Sequence, residues 1–525
     1  MNEKEYIVSL HKNVDYKAFD KEMIASTGAG SIPKRSATIA NSRPGSKRNT
    51  HYMLTDEEVK ILRNDPRVYG VEVPPDQRSD IQITPYAVQE GNFSKTTSDS
   101  GDFINWGLRR SNSPTNPYAE NSVEGGYNYT LDGTGVDIVI HDTGIATNHP
   151  EWQDKDGSSR LVELDWYQAS GLSGSMPTEH YTDYHGHGTH VGATAAGKTY
   201  GFAKNARIYA VKVNGLQGPA DPNSGIPITD CFDIIKLWHE NKPIDPATGA
   251  KRPTIVNMSW GYSRQWTSVS EINYRGTSYT GADIDTGGEI WNFGLVPLSQ
   301  NGVFSNPVRL PNVDTDVEEM IEAGIHVIIA SGNSYSKIDI EGGLDYDNYA
   351  EVSPVSNGES RLYYHRGSSP YSVDAHMVGN IDSQVNSGGL EQKAESSNSG
   401  PGVSIWAPGT DIMSACSDIN VFNGDGAYPF DDNFKIANIS GTSMAAPQVA
   451  GILGLYTQLN PKDTPAQAKA FLENIGKSSQ IYSSGNDDDY TNTRSIYNGP
   501  DTFLFNKFNS SIKLTLGTSD STGTS

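Results

Sequence analysis

The chain has 525 residues, a net charge of −23 at pH 7 and a mean hydropathy of −0.54. That length exceeds one small domain and allows a sizeable core, and the acidic balance disfavours nucleic acid and anionic membranes as partners. No run approaches the ~20 consecutive apolar residues of a membrane helix, residues 1–16 lack the basic-then-apolar pattern of a secretory signal, and two cysteines, Cys231 and Cys416, are too few for a disulfide scaffold and read as isolated buried thiols. Residues 1–100 carry equal numbers of acidic and basic side chains, so the charge excess sits in 101–525, where it reads as a solubilising surface.

In chain order, residues 5–75 read as a small α+β unit. YIVSL (6–10) is a strand pattern, YKAFDKEMIAS (16–26) a helix and THYMLT (50–55) a second strand. DEEVKILRND (56–65) is a second helix with acidic residues in its first turn, where the helix dipole favours them. VYGVEV (68–73) is a third strand before Pro74-Pro75, and the polar stretch 76–105 reads as a linker. After Trp106 come Val/Ile-rich runs that end in polar or glycine residues: GVDIVIHD (135–142), ARIYAVKV (206–213), TIVNMSWG (254–261), HVIIASGN (326–333), AHMVGNID (375–382) and VSIWAPG (403–409). They alternate with helical segments at 187–197, 230–241, 316–324 and 443–460, and with a final helix at 465–475 capped by Thr464, Pro465 and Gln467. This alternation predicts an α/β fold, a doubly wound, mostly parallel sheet covered on both faces. The site then lies at the carboxyl ends of the strands. Stretches rich in Gly, Asn, Ser and Tyr at 262–312, 334–372 and 416–436 read as surface insertions in a main domain of 106–485. A C-terminal extension, 486–525, follows, with a disordered end.

Four element ends carry chemistry. Asp142 leaves a buried strand onto Thr143-Gly144, where hydrogen bonds can fix a carboxylate; capping its own turn is the plain alternative. In YHGHGTHVGA (184–193), His185, His187 and His190 fall together, which fits either a metal cluster or a catalytic helix start. His187 opens that helix and projects from its mouth, whereas His190, one turn on, points inward or caps locally and His185 sits in the preceding loop. Ser443 follows Gly441-Thr442 at the start of an apolar helix, where its own N–H lacks an intrahelical partner and can donate to an oxyanion. An ordinary N-cap is the alternative. Asn333 ends its strand with a side-chain amide, or is a turn residue. Taken together these residues match one chemistry. A serine hydroxyl needs a base, the base needs a carboxylate to orient it, and the tetrahedral intermediate needs donors aimed at its oxygen. Ser443, His187, Asp142 and Asn333 fill those roles at the ends of elements of one sheet.

The segments HDTGIATNHPEW, HGTHVGATAAG, NMSWG, ASGN and SGTSMAAPQVAG resemble those of the subtilisin-like serine proteases, in that family's order Asp…His…Ser. The resemblance covers roughly 104–480 in spaced blocks. It implies a serine endopeptidase with Asp142, His187 and Ser443 as its triad and Asn333 as oxyanion donor. It also implies that Ser259-Trp260-Gly261 and Ala330-Ser331-Gly332 pair with substrate backbone and wall the main side-chain pocket, the peptide adding as a strand. Trp260 stands where a leucine is more usual, which predicts a narrowed subsite. GKTYGFAKNARIYAVKVNG (197–215) is similar to the proteinase K branch, whose loop after the histidine helix is short. The longer calcium-binding loop of other subtilisins is missing, and Ser404 stands where that branch has an Asp that helps bind calcium. The resemblance requires no cofactor for the chemistry and assigns no metal ligand. It leaves a structural Ca²⁺ open, with Glu151 and the acidic loops as candidates.

Residues 5–75 resemble the family's inhibitory propeptide, so 1–75 is expected to be a ferredoxin-like domain that acts as chaperone and intramolecular inhibitor. Trp106-Gly107-Leu108 resembles the mature start, which places self-cleavage between about residue 75 and residue 105. The expected partners are a polypeptide substrate and the chain's own propeptide, with no nucleic acid and no membrane. The expected compartment is the cytoplasm, or a particle if the chain is virus-encoded. Two rivals stand beside this reading. One is a metal-dependent hydrolase built on the histidine cluster, which lacks the HExxH spacing. The other is a non-catalytic binding or structural protein on the same scaffold.

Overall fold

A computed structural model gives the architecture. It describes residues 3–25, 35–86, 105–113, 116, 129–216, 218, 221–281, 284, 290–295, 304–352, 360–422, 426–476, 481–486 and 489–508. Seven strands form the central sheet. In order across it run Glu391–Lys393, His376–Val385, His326–Ala330, Thr254–Met258, Asp137–Asp142 and Arg207–Lys212, with Ile405–Pro408 paired to His376–Val385. Every pairing is parallel except that of the outer Glu391–Lys393 strand.

Successive residues of a strand point to opposite faces, and here both faces are buried. Val139, Val256 and Val327 join the core on the side of helices Ile228–Asn241 and Pro311–Glu322. Ile138, Ile140, Ile255 and Ile328 join the core on the side of helices His187–Ala196 and Thr442–Leu459. That two-sided burial is why the strands read as near-continuous apolar runs, and the α/β fold expected from them is the one present. The helix expected at 316–324 begins earlier, at Pro311, because proline's fixed φ and missing N–H suit the first helical position.

The stretches expected to be surface insertions are more organised than that. Val269–Tyr274 and Thr277–Thr280, from the first, pair with Tyr349–Val352 and Arg361–Tyr363, from the second, in one four-stranded sheet. Buried Asp345 joins them to the C-terminal segment. It accepts from Arg275 at 2.6 and 3.0 Å, from Lys337 at 2.8 Å and from Tyr490 at 3.1 Å. Burial pushes this carboxyl up, but the Arg275 and Lys337 contacts outweigh it and hold the group well below the usual carboxylate range. The C-terminal extension is also built in: Trp406 N donates to Thr502 O at 2.9 Å, and Leu504 N donates to Trp406 O at 2.8 Å. Phe503 and Leu504 are fully buried. The expected disordered end, 509–525, lies outside the described residues.

The N-terminal region forms a separate four-stranded antiparallel sheet in the order Thr38–Asn41, Asn49–Leu54, Lys4–Leu10, Val68–Glu72, with helices Tyr16–Ile24 and Asp56–Leu62 and its own core. Thr55 and Glu58 close a capping box on the second helix. The region docks on helices Ile228–Asn241 and Pro311–Glu322. Arg43, 1% exposed, donates to Asp233 at 3.0 and 3.1 Å and to Asp316 at 2.9 Å, one carboxylate from each helix. Lys236 meets Glu319 beside them, and Asn49 bonds Asp316 and the Asn312 carbonyl.

The expected linker needs correction over its first part. Gln82–Pro85 is a strand, paired antiparallel with Trp260–Trp266, and Ile81 is in the main core. The backbone groups of this polar segment are satisfied by the edge of Trp260–Trp266, a partner that composition does not reveal. Residues 87–104 lie outside the described residues.

Candidate active site

Asp142 is the last residue of its strand, and its buried Oδ1 accepts from Thr143 N at 2.8 Å and meets His187 Nδ1 at 2.6 Å. His187 is the first residue of a helix whose ten residues are all buried. Gly188 explains how that helix comes so close to the strand end, because a Cβ there would lie 2.1 Å from Gly144 O. With Nδ1 committed to Asp142, His187 Nε2 is buried and has no hydrogen-bond partner among the described residues.

A carboxylate that the sequence reading passed over holds this pair in register. Asp183 Oδ1 accepts from Thr143 Oγ1 at 2.9 Å, His185 N at 3.1 Å and Gly186 N at 2.8 Å. Its Oδ2 accepts from Thr189 N at 2.9 Å and Thr189 Oγ1 at 2.6 Å. It caps the histidine helix and ties it to the residue after Asp142. The signal was an Asp four residues before His187, a common loop residue on its own.

Ser443 is the second residue of helix Thr442–Leu459. Its Oγ donates to Ser259 O at 2.8 Å rather than to the histidine. Pro447 has no N–H to give the Ser443 carbonyl, the usual partner four residues back, and that carbonyl accepts instead from Ser259 Oγ at 3.2 Å. Asn333 is fixed on its oxygen side: Oδ1 accepts from both Thr442 N and Thr442 Oγ1 at 3.0 Å. Its Nδ2 is thereby aimed into the cleft.

One backbone oxygen meets these donors. The carbonyl of Tyr86 accepts from Asn333 Nδ2 at 2.8 Å and from Ser443 N at 3.3 Å. Tyr86 N donates to Ser259 O at 2.9 Å, and Pro85, Thr84 and Ile83 stand opposite Trp260, Gly261 and Tyr262 in the ladder. The Tyr86 side chain is buried and hydrogen-bonds Ser368 Oγ.

The other expected residues divide. Ser259 and Gly261 line the strand 82–86, and Gly332 backs the Tyr86 ring, with its absent Cβ 3.4 Å from Tyr86 Cζ. Ala330 is buried, and Ser331 turns its backbone to Val378 O and Asn398 Nδ2. Trp260 contradicts the narrowed subsite: its side chain is fully buried in the core, and its indole donates to His141 O at 2.8 Å. Only its backbone faces the bound segment.

The three clustered histidines part company. His190 Nε2 meets the carbonyls of Ile412 and Ala437 at 3.0 and 3.2 Å, and burial drives its pKa down to about 3. His185 stacks edge-on between His187 and Phe422, and burial lowers it to about 4. Among the described residues no group of three or more His, Cys, Asp or Glu side chains is arranged to hold a metal. Glu151, the calcium candidate, is buried and filled by protein donors, accepting from Thr199 N at 2.9 Å and Tyr428 OH at 2.8 Å. Cys231 and Cys416 are free and buried, as expected. Among the described residues no helix is long and apolar enough to cross a membrane.

The model of the subtilase family matches residues 133–493, and the chain belongs to that family. It carries the framework of a serine-type endopeptidase, with the subtilisin-like α/β fold. It is 27% identical over 419 residues to an extracellular serine proteinase of Thermus sp. (strain Rt41A), a match covering 80% of this chain and 68% of that protein. It is 26% identical over 419 residues to the alkaline serine exoprotease A of Vibrio alginolyticus, covering 80% of this chain but only 53% of the relative. Among solved structures, fervidolysin from Fervidobacterium pennivorans, described as a keratinolytic enzyme related to subtilisin, superposes with a TM-score of 0.51 at 17% identity, over 96% of this chain and 60% of that one.

Proposed function

We propose that the chain is a serine endopeptidase whose nucleophile is Ser443, and that it is made as a zymogen that cuts itself between Tyr86 and Ala87. The observation that carries this reading is the Tyr86 carbonyl, held by Asn333 Nδ2 and Ser443 N while residues 82–86 lie along the strand after Ser259. That is the pose of a peptide acyl group presented to a nucleophile, with two donors where negative charge develops.

In the reaction, Ser443 Oγ leaves its bond to Ser259 O by rotating about χ1 and passes its proton to His187 Nε2 as it bonds the carbonyl carbon. Catalytic contacts of this kind commonly tighten only as the reaction proceeds. The oxyanion takes the N–H groups of Asn333 and Ser443. Asp142 holds the imidazole tautomer through Nδ1 and stabilises the imidazolium. Collapse breaks the C–N bond, and His187 returns the proton to the leaving amine. Water then attacks the acyl ester, giving its proton to His187 and from there to Ser443 Oγ, and the new carboxylate departs. Side chains, the Ser443 backbone N–H and water carry the steps, and the reaction calls for no cofactor.

Residues 1–86 serve as the intramolecular inhibitor. The N-terminal sheet docks through Arg43 and its neighbours, and the strand 82–86 fills the cleft. A fluorophosphonate probe tests the nucleophile: labelling of Ser443 in wild type and none in Ser443→Ala is expected. A wild-type chain freed of residues 1–86 by an added protease that still resists the probe would favour the non-catalytic reading.

A further inference from the structure

We propose that the side-chain pocket beside Ser443 selects tyrosine, and that the Ser368 hydroxyl reads the phenol oxygen. This inference rests on the peptidase reading above and adds the residue class at which the chain is cut. The bound Tyr86 shows the fit. Its ring lies between the backbones of Gly261 and Gly332. A Cβ at Gly261 would fall 1.7 Å from the phenol oxygen, so the pocket exists because residue 261 has no side chain. At its end the phenol hydrogen-bonds Ser368 Oγ, and Ser368 is only 5% exposed. Burial pushes the Tyr86 phenol pKa upward, so the group stays protonated and can donate.

Ser368 is rigidly placed. Its neighbour Ser369 donates from N to Val308 O at 3.0 Å, accepts at its carbonyl from Tyr262 N at 3.2 Å, and donates from Oγ to Asp314 at 2.7 Å. These bonds fix the backbone that carries the Ser368 hydroxyl. A phenylalanine in the same place would fill the apolar walls but leave the Ser368 hydroxyl buried without the phenol. A buried polar group that loses its partner discriminates strongly between substrates that differ only by that partner. The pocket is also built partly from residues outside the sequence motifs, because Ser368 comes from the second inserted stretch, 334–372.

Three peptides test this: succinyl-Ile-Thr-Pro-Tyr-p-nitroanilide, copied from residues 83–86, and its phenylalanine and alanine counterparts, assayed with the full-length protein after its own cleavage. Wild type is expected to favour tyrosine in kcat/KM by about tenfold, the scale of one buried hydrogen bond. Ser368→Ala is expected to bring that ratio close to one, mainly by slowing the tyrosine peptide. Gly261→Ala, which fills the pocket from the other side, is expected to depress both aromatic peptides relative to an alanine counterpart. A wild type with no tyrosine preference, or a Ser368→Ala protein that keeps it, would overturn the selectivity alone. Failure to cleave any of the peptides, together with no fluorophosphonate labelling, would overturn the peptidase reading and the selectivity with it.

Discussion

Two regions meet at the Tyr86 carbonyl, and they are built differently. Asp142, His187, Asn333 and Ser443 stand at the ends of strands and helices packed around a sheet that is buried on both faces. Residues 82–86 bring only Ile83 and Tyr86 to the core, and are held by one edge ladder, two donors on a carbonyl and one phenol. The first region takes its geometry from the elements packed around that sheet. The second depends on the partner strand for its register, as an added strand does. A machine fixed by a core and an occupant fixed by an edge should therefore respond differently to substitution.

The largest expected effect falls on the machine. Ser443→Ala and His187→Ala should each lower kcat by about 10⁶, the loss known for these positions in subtilisin itself, while His185→Ala should retain most activity. Peptide hydrolysis rates check this, and an inactive His185→Ala protein would contradict the assignment. Next comes the docking of the occupant's domain. In a Ser443→Ala background, Arg43→Ala leaves Asp233 and Asp316 buried without their cation, which costs about 3–5 kcal/mol. Hydrogen exchange should then show residues 3–25 and 38–72 losing protection while the central sheet keeps its own. Asn333→Ala should cost about 10²–10³ in kcat, again the known loss for this donor in subtilisin, with little change in KM. A change confined to KM would remove Asn333 from the oxyanion site.

The smallest effect per site and per pH unit is acid sensitivity, and most of the lowered histidines lie in the main domain, with His51 lowered too in the N-terminal region. Burial drives His141, His190 and His376 down to about 3 and His326 to about 4. Each folded pKa lies below the unfolded value near 6.5, so the unfolded chain binds the extra protons. Stability from these groups is full above about pH 6.5 and falls by about 1.4 kcal/mol per pH unit per histidine on acidification, until pH nears the folded values. Thermal unfolding between pH 7 and 4 measures this; a flat Tm would contradict it.

The sheet, and the places of Asp142, His187 and Ser443 at element ends, were legible because their signals are local. Val/Ile runs that end in Asp142-Thr143-Gly144 or Ala330-Ser331-Gly332 mark strand ends, and Gly188 and Ser443 mark close helix starts. The edge elements were not. Thr38–Asn41 and Gln82–Pro85 are four-residue strands with alternating exposure; the first pairs with the neighbouring strand Asn49–Leu54, the second with Trp260–Trp266, far off in the sequence. Trp260 misled for the same reason: a residue's place in a motif says which strand it is on, not which face its side chain takes. Asp183 and Ser368 look like loop residues until their partners are known.

The most direct measurement is the intact mass of the purified protein, wild type beside Ser443→Ala. The account predicts that wild type separates into residues 1–86 and a chain beginning at Ala87, while Ser443→Ala remains whole. A wild type that stays uncut, one cut at another bond, or an equal cut between Tyr86 and Ala87 in Ser443→Ala would contradict it.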